Sequence, residues 1–505
     1  MDEDRSARFP ERLSSGVPGL DAVLRGGFLK AGIFLIQGSP GAGKTILANQ
    51  MCFHHAAKGG RALYVTLLAE SHSRMLLHIG QLGFFDASMV PSRIYFVSAF
   101  RALEEEGLRG LLDLLRREVQ AHNATLLLID GLVSVEETAA SPREYKKFIH
   151  ELQAQAALAD CTVFLLTSTP TPPIAVEHTM VDGVVQLHSQ LYGRRAERHL
   201  EVYKMRGTGY LRGEHSFRIS DEGVIVYPRT EALLMLPSTR PKAAGGSPVE
   251  TGIAELDRMT GGGFPSNSTA LLTGPPGIGK TTLGLQFLSQ SNEQCPGLHF
   301  GFYETPEAIS AKANALGLPL KNLIEQGHVE VLWQPTTEGI LDEACHRLLE
   351  AVRRRGVRRL FIDGLEGFER LTTDRERLGH IFAAFSNELS ARGVTTIYTS
   401  EADLIGSVSG LPLSHLPLQG VSCIAEIILV MRYVELRAHL HRVVAVLKVR
   451  DSLIDPAFHR FTIAGTGITI ESDSTGAEEI LSETTQQNHS RDLFRTPRSR
   501  RVGPN

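Results

Sequence analysis

The strongest constraint on this chain is that it repeats itself. Residues 16–50 and 252–286 align at a constant offset of 236, with 15 identities in 35 positions and no gap, which marks an internal duplication. Beyond the aligned stretch the order of elements repeats as well. The first half gives apolar, β-rich runs ALYVTLL, RIYFVSA, ATLLLID and CTVFLLTST, and the second gives LHFGFY, HVEVLWQ, RRLFIDG and TTIYTSE, with helix-length stretches between them. Strands that alternate with helices form a parallel sheet covered on both faces. The expected fold class is therefore α/β, with two tandem domains, each a mostly parallel sheet flanked by helices. A chain of 505 residues exceeds what one core ordinarily supports, and two large domains suit it. Their expected extents are residues 14–237 and 250–471. A linker is expected at 238–249, where STRPKAAGGSPVE replaces periodic hydrophobics with proline, glycine and small residues. Residues 1–13 and 472–505 read as tails, the latter poor in large apolar residues and ending in arginines.

Each repeat sets a glycine-rich loop between an apolar run and a helix-like run. GSPGAGKT supplies Gly38, Ser39, Pro40, Gly41, Ala42, Gly43, Lys44 and Thr45; GPPGIGKT supplies Gly274, Pro275, Pro276, Gly277, Ile278, Gly279, Lys280 and Thr281. Glycine lets backbone N–H groups converge on phosphate oxygens without a side chain in the way, and the following helix adds favourable partial charge. In a strand-loop-helix setting this pattern is a phosphate cradle. Lys44 and Lys280 would reach the β- and γ-phosphates of ATP, while Thr45 and Thr281 would ligate Mg2+. The metal also needs a carboxylate. Asp130 after TLLLI and Asp363 after RLFI stand at strand ends where ligands of such sheets bind, with a plain strand-ending turn as the alternative. Glu70 in TLLAES and Glu304 in GFYETP are candidates to position the attacking water, against the alternative of an acid favoured in a helix's first turn.

A net charge of −4, with 42% hydrophobic and 21% charged residues, describes a globular chain without global attraction to nucleic acid or anionic lipid. The five cysteines are scattered without metal or redox spacing, the first residues are polar and acidic, and no apolar run nears the roughly 20 residues that span a bilayer. A cytoplasmic location without membrane contact is expected. His54 and His55, adjacent on a helix, point different ways and read as structural, and Trp333 reads as packing on a domain surface.

The paired loops, the preceding GVPGLDAVLRGGF and TGIAELDRMTGGGF, the IDG strands and the later LEVYKMRGTGYLRGEHSFRISDEGVIVYP together resemble the KaiC family of tandem RecA-like ATPases, across about residues 14–471. That resemblance implies two RecA-like P-loop NTPase domains, a homo-hexameric two-tier ring, and ATP at the subunit interfaces. It implies further that a basic pair from the neighbouring subunit completes each site, at Lys204 and Arg206 in YKMRG and at Lys448 and Arg450 in LKVRD. A cation in trans would neutralise charge in the transition state; an exposed edge strand guarded by basic residues is the alternative. The two-residue spacing puts both side chains on one face of a strand.

Three departures from the family pattern bear on function. Where the family has two adjacent glutamates, this chain has Ala69-Glu70 and Tyr303-Glu304, so slow hydrolysis is expected in both halves, and restored glutamates should speed it. At the place of the family's neighbouring serine and threonine phosphate acceptors stand Ser422 and Cys423, which leaves Ser422 as a candidate for serine autokinase activity or as an unmodified packing serine. The KVRD stretch lacks the glycine of KMRG and the tail does not match the clock proteins' regulatory segment, so an oscillator's role is not expected. The resulting reading is an ATP-binding and ATP-hydrolysing ring that couples nucleotide state to an unidentified signalling protein partner. Two alternatives stand beside it: a DNA-dependent ATPase, suggested by basic residues 353–359 and 491–501 but not favoured by the overall charge, and a scaffold that binds ATP with little hydrolysis.

Overall fold

The computed structural model describes residues 11–67, 72–168, 176–237, 246–402, 424–437, 439–450 and 454–477. Packing divides the chain into two units, Met1–Leu233 and Leu234–Asn505. In the first, β1 (Ile33–Gly38), α1 (Lys44–Ala57), β2 (Ala62–Thr66), β3 (Ile94–Ser98), α2 (Phe100–His122), β4 (Leu126–Asp130), α3 (Pro142–Leu158) and β5 (Thr162–Thr167) build the core of an α/β fold. Four further strands follow: β6 (Gly183–Tyr192), β7 (Arg195–Met205), β8 (Glu214–Ser220) and β9 (Gly223–Tyr227). The sheet order is β3-β2-β4-β5-β1-β6-β7-β8-β9. Strands β3 through β6 in that order are parallel, and β7, β8 and β9 extend the sheet antiparallel.

The second unit repeats this arrangement strand for strand. Its elements are β10 (Thr269–Gly274), α4 (Lys280–Leu288), β11 (Gly297–Gly301), α5 (Pro306–Ala315), β12 (Val329–Trp333), α6 (Leu341–Arg355), β13 (Arg359–Asp363), α7 (Glu376–Ala391), β14 (Thr395–Glu401), β15 (Ile427–Leu436), β16 (His439–Val449), β17 (His459–Ala464) and β18 (Gly467–Ile470). Their order, β12-β11-β13-β14-β10-β15-β16-β17-β18, has the same connectivity. Each unit has the α/β architecture that the alternation of runs in the sequence predicts, and the RecA-like P-loop fold that the resemblance implies. The sequence runs locate five of the six parallel strands of each sheet, and miss β6 and β15, which lead into the antiparallel extension.

The apolar runs form strands because both faces of a parallel sheet are covered and every side chain must be buried. Along β1, Phe34 and Ile36 enter the core made with Leu47 and Met51 of α1, while Ile33 and Leu35 enter a second core with Leu111 of α2 and Phe148 of α3. Each such side chain contributes about 1.5–3 kcal/mol on burial. Local chemistry sets the helix starts: Ser141 accepts from the Glu144 N–H ahead of Pro142, and Thr305 accepts from the Ala308 N–H ahead of Pro306. Among the described residues no helix is long and apolar enough to cross a membrane.

Candidate functional site

Both glycine-rich loops leave the carboxyl end of the central strand, β1 or β10, and run into α1 or α4. Gly41 and Gly43 hold φ of 79° and 106°, and Gly277 and Gly279 hold 75° and 123°, backbone conformations that favour glycine. Space adds a second reason at Gly43 and Gly279, where a Cβ would come within 2.7 Å of the Cδ1 atoms of Ile219 and Ile463. A Cβ at Gly41 would meet nothing within 4 Å, so the loop mouth is open. Lys44 Nζ donates to the carbonyls of Gly38 (2.7 Å) and Ser39 (3.2 Å), and Lys280 Nζ to those of Gly274 (2.7 Å) and Pro275 (3.0 Å). Ala42 and Ile278 are buried beneath their loops, while Pro40 and Pro276 line the openings. Burial lowers the pKa of both lysines, opposed by Asp130 at Lys44 and by Glu401, Glu366 and Asp363 at Lys280.

Beside each loop the structure brings a threonine and an aspartate together. Thr45 Oγ1 donates to Asp130 Oδ2 at 3.2 Å, and Thr281 Oγ1 to Asp363 Oδ2 at 2.9 Å. The acids are held by different neighbours. Asp130 also accepts from Tyr64 Oη of β2 at 2.8 Å, and burial pushes that phenol well above its usual pKa. Asp363 accepts instead from Thr399 Oγ1 of β14 at 2.7 Å, and the same hydroxyl accepts from the Gly364 N–H. The ladders make Tyr64 and His299 equivalent, and Leu166 and Thr399. His299 is fully buried, burial holds its pKa down at about 4, and neither ring nitrogen has a protein partner.

The cavities diverge as well. The first, about 290 Å³, is lined by Lys44, Thr45, Asp130, Thr66, His72 and Val133 among others, and His72 Nε2 lies 2.8 Å from Thr66 Oγ1. The second, about 620 Å³, contains Lys280, Thr281, Asp363, His299 and three further carboxylates, Glu304, Glu366 and Glu401. Glu304 forms an ion pair with Lys312 through Oε1, while its buried Oε2 has no partner. Glu366 accepts from Ser400 Oγ at 3.0 Å and from the Glu401 N–H at 2.6 Å. Its counterpart in the first unit, three residues past the strand-end aspartate, is Val133. Nothing in the sequence flagged Tyr64, His72, His299, Glu366, Thr399 or Glu401; the strand register does.

The same register bears on the two glutamates named as candidates to position water. Thr66 pairs with Asp130 as Gly301 pairs with Asp363. Counting three residues on gives Glu304 in the second unit but Ala69 in the first, with Glu70 one position further. Glu70 itself lies outside the described residues, as does Ser422.

The basic pairs turn toward the segment preceding β6 or β15. Lys204 Nζ donates to the carbonyls of His178 and Val181, both at 2.7 Å, and Arg206 to that of Thr179 at 2.7 Å, with Asp182 at 3.9 Å. Lys448 Nζ donates to the Ala425 carbonyl at 2.8 Å, and Arg450 lies 3.8 Å from Glu426. Each arginine falls just past the end of its strand. Strand β7 is internal in the sheet order, but β8 pairs only with His199–Glu201, so the Lys204 end is open on that side. A bulge at Tyr203, opposite Val184/Val185, turns the strand immediately before Lys204, and β16 repeats it at Leu447.

The family model described as "ATPase: KaiC" matches the chain twice, over residues 13–231 and 249–475. This chain belongs to the KaiC ATPase family. The circadian clock oscillator protein KaiC of Picosynechococcus sp. strain PCC 7002 is 26% identical over 493 residues, covering 94% of this chain and 92% of that protein. Circadian clock oscillator protein KaiC 1 of Synechocystis sp. strain PCC 6803 is 25% identical over 493 residues, covering 94% and 91%. KaiC of Synechococcus elongatus strain PCC 7942 is 24% identical over 491 residues, covering 93% and 91%. Within this KaiC-family chain the basic run at 353–359 serves internal contacts. Arg354 and Arg355 pair with Glu330, Arg353 lies 3.9 Å from Glu388, and Arg359 is buried and donates to the Glu250 carbonyl. His54 and His55 also take separate contacts, to Ser14 at 3.3 Å and Thr125 at 2.8 Å, and Trp333 donates to the Phe302 carbonyl at 3.0 Å.

Proposed function

We propose that this KaiC-family chain binds Mg-ATP at both glycine-rich loops and hydrolyses it chiefly in the second unit. The observation that carries this reading is the placement of Glu304: a carboxylate in the same cavity as Lys280, Thr281 and Asp363, with one buried oxygen unpartnered. The residues fit the cofactor. Positive-φ glycines leave the N–H groups free to converge, Thr45 with Asp130 and Thr281 with Asp363 would hold Mg2+, and Lys44 and Lys280 would reach the terminal phosphates. Bound Mg2+ supplies charge neutralisation on the transferring phosphoryl group. Glu304 orients the attacking water and accepts its proton, a role that contributes roughly 10²–10⁴ in rate. The first unit, with Ala69 at the matching count, binds nucleotide and turns it over slowly.

In this reading the chain works as a homo-hexamer, with Lys204 and Arg206, and Lys448 and Arg450, supplied to the neighbour's phosphates, and with nucleotide state signalled to a protein partner in the cytoplasm. Serine autokinase activity at Ser422 is a further element of it. DNA binding is not favoured, because the arginines of 353–359 are engaged with Glu330, Glu388 and backbone carbonyls.

Steady-state phosphate release from the full chain with Mg-ATP tests the proposal, with and without single-stranded DNA and with the Lys44→Ala/Lys280→Ala double variant as the blank. Turnover that survives Lys44→Ala, is lost in Glu304→Gln and ignores DNA supports it. Turnover that depends on DNA, or none above the blank, overturns it in favour of a DNA-dependent ATPase or a scaffold.

A further inference from the structure

Away from the nucleotide cavities, three side chains on the antiparallel extension of the first sheet converge. His188 of β6, Glu201 of β7 and Glu214 of β8 place one potential ligand atom each within 4.8 Å of one another. The sheet register explains why. Glu201 pairs directly with Glu214 across β7 and β8, and with Gln186 across β6 and β7, so His188 lies on the diagonal two residues along. Their neighbours Leu187, Leu200 and Val202 enter the core beside α1, and strand alternation sends His188 and Glu201 to the other face.

Two like charges directly opposite each other on neighbouring strands repel, and a sheet ordinarily answers with a counter-charge. The second unit shows what the fold places here. The positions matching His188, Glu201 and Glu214 are Arg432, Ala445 and Phe458, and the Arg432 guanidinium lies 4.3 Å from the centroid of the Phe458 ring. One copy of the fold thus carries a built-in cation over an aromatic ring where the other carries an imidazole and two carboxylates. His199, directly across from His188, is 3.5 Å from Glu197 instead.

We propose that His188, Glu201 and Glu214 bind a first-row divalent transition metal ion, of which Zn2+ is the type, with water in the remaining positions. One imidazole nitrogen and two carboxylate oxygens are a donor set such ions accept. The ion clips together three strands, one of which pairs with the loop-bearing strand at Gly38 and Leu187. It offsets the Glu201–Glu214 repulsion, which the second unit, with Ala445 and Phe458 at those positions, does not have.

The test is Zn2+ titration of the nucleotide-free full chain by calorimetry, in excess Mg2+ so that sites selective for hard oxygen ligands are filled, with Co2+ absorption as a second readout. One equivalent should bind per chain, and Glu201→Gln and His188→Ala should each weaken it at least tenfold. Zn2+ should raise the melting temperature of the wild type and not that of either variant, with all three folded alike by circular dichroism in EDTA. Should His188→Ala fold poorly, the near-isosteric Glu201→Gln carries the comparison. His188→Arg, which supplies the second unit's cation, should abolish the Zn2+ dependence and raise the melting temperature in EDTA. Zn2+ binding that is unchanged in Glu201→Gln and His188→Arg, or no binding by the wild type, overturns the proposal.

Discussion

The two nucleotide cavities share a backbone and differ in what surrounds the strand-end aspartate. Around Asp130 stand Tyr64, Leu166 and Val133, so one phenol and two apolar side chains face the acid and its neighbours. Around Asp363 the same positions are His299, Thr399 and Glu366, and Glu304 and Glu401 join them. Duplication preserved the glycines, lysine and threonine, which any phosphate cradle needs, and left the side chains that tune charge free to diverge. The second cavity gathers four carboxylates, Glu304, Asp363, Glu366 and Glu401. The first has Asp130 as its one carboxylate among the described residues, beside Lys44 and the neutral polar side chains of Thr45, Thr66, Thr167 and Ser168.

That contrast is broken most sharply by removing one unit at a time. Glu304→Gln should lower phosphate release by roughly 10²–10⁴, and Lys280→Ala comparably, whereas Lys44→Ala should leave most of it; steady-state assays that show the reverse ranking place hydrolysis in the first unit. A gain of function comes next in size. Ala69→Glu in the Lys280→Ala background should create turnover at least about tenfold above that background, and single-turnover release with no increase would show that register is not what silences the first cavity.

Smaller effects sharpen the comparison of supporting residues. Thr399→Val and Tyr64→Phe each remove one hydrogen bond to a proposed metal ligand and should weaken Mg2+-dependent nucleotide binding about 10–100-fold, each in its own unit only. Titration of a fluorescent ATP analogue against the single-loop variants separates the two. The smallest expected effect is on pH. Burial, aided by His54 and Lys30, holds His55 down at about 4 in the folded first unit, below the usual histidine range. Between that value and about 6.5 the unfolded chain binds the proton more readily, so this contribution is complete above the window and is lost as pH falls through it. At the matching place the second unit has Ser291. His55→Gln should therefore shrink the drop in melting temperature between pH 7 and pH 5 by no more than a few degrees.

How much could be read in advance varied by element. The parallel strands were legible because each is a short run of buried apolar residues bounded by turn signals, and Leu126–Asp130 and Arg359–Asp363 end on the charged residue that stops the run. The loops were legible because Gly43 and Gly279 sit where backbone conformation and the approach of Ile219 and Ile463 both call for glycine. Less visible was the extension beyond β6, where β7 and β8 are half-buried and mix charged and apolar residues. The pairing of Glu70 with Glu304 rested on local likeness of TLLAES and GFYETP; the ladders end at Thr66 and Gly301, and Glu70 lies outside the described residues.

The sequence by itself determined the duplication, the α/β class and the phosphate cradles, because these depend on local periodicity and on residues adjacent in the chain. Tertiary structure alone decided which side chains meet across strands: Tyr64 with Asp130, Thr399 with Asp363, and His188 with Glu201 and Glu214. Those partners are separated by at least 13 residues, and only the register of hydrogen-bonded ladders, a property of the whole sheet, brings them within reach of one another.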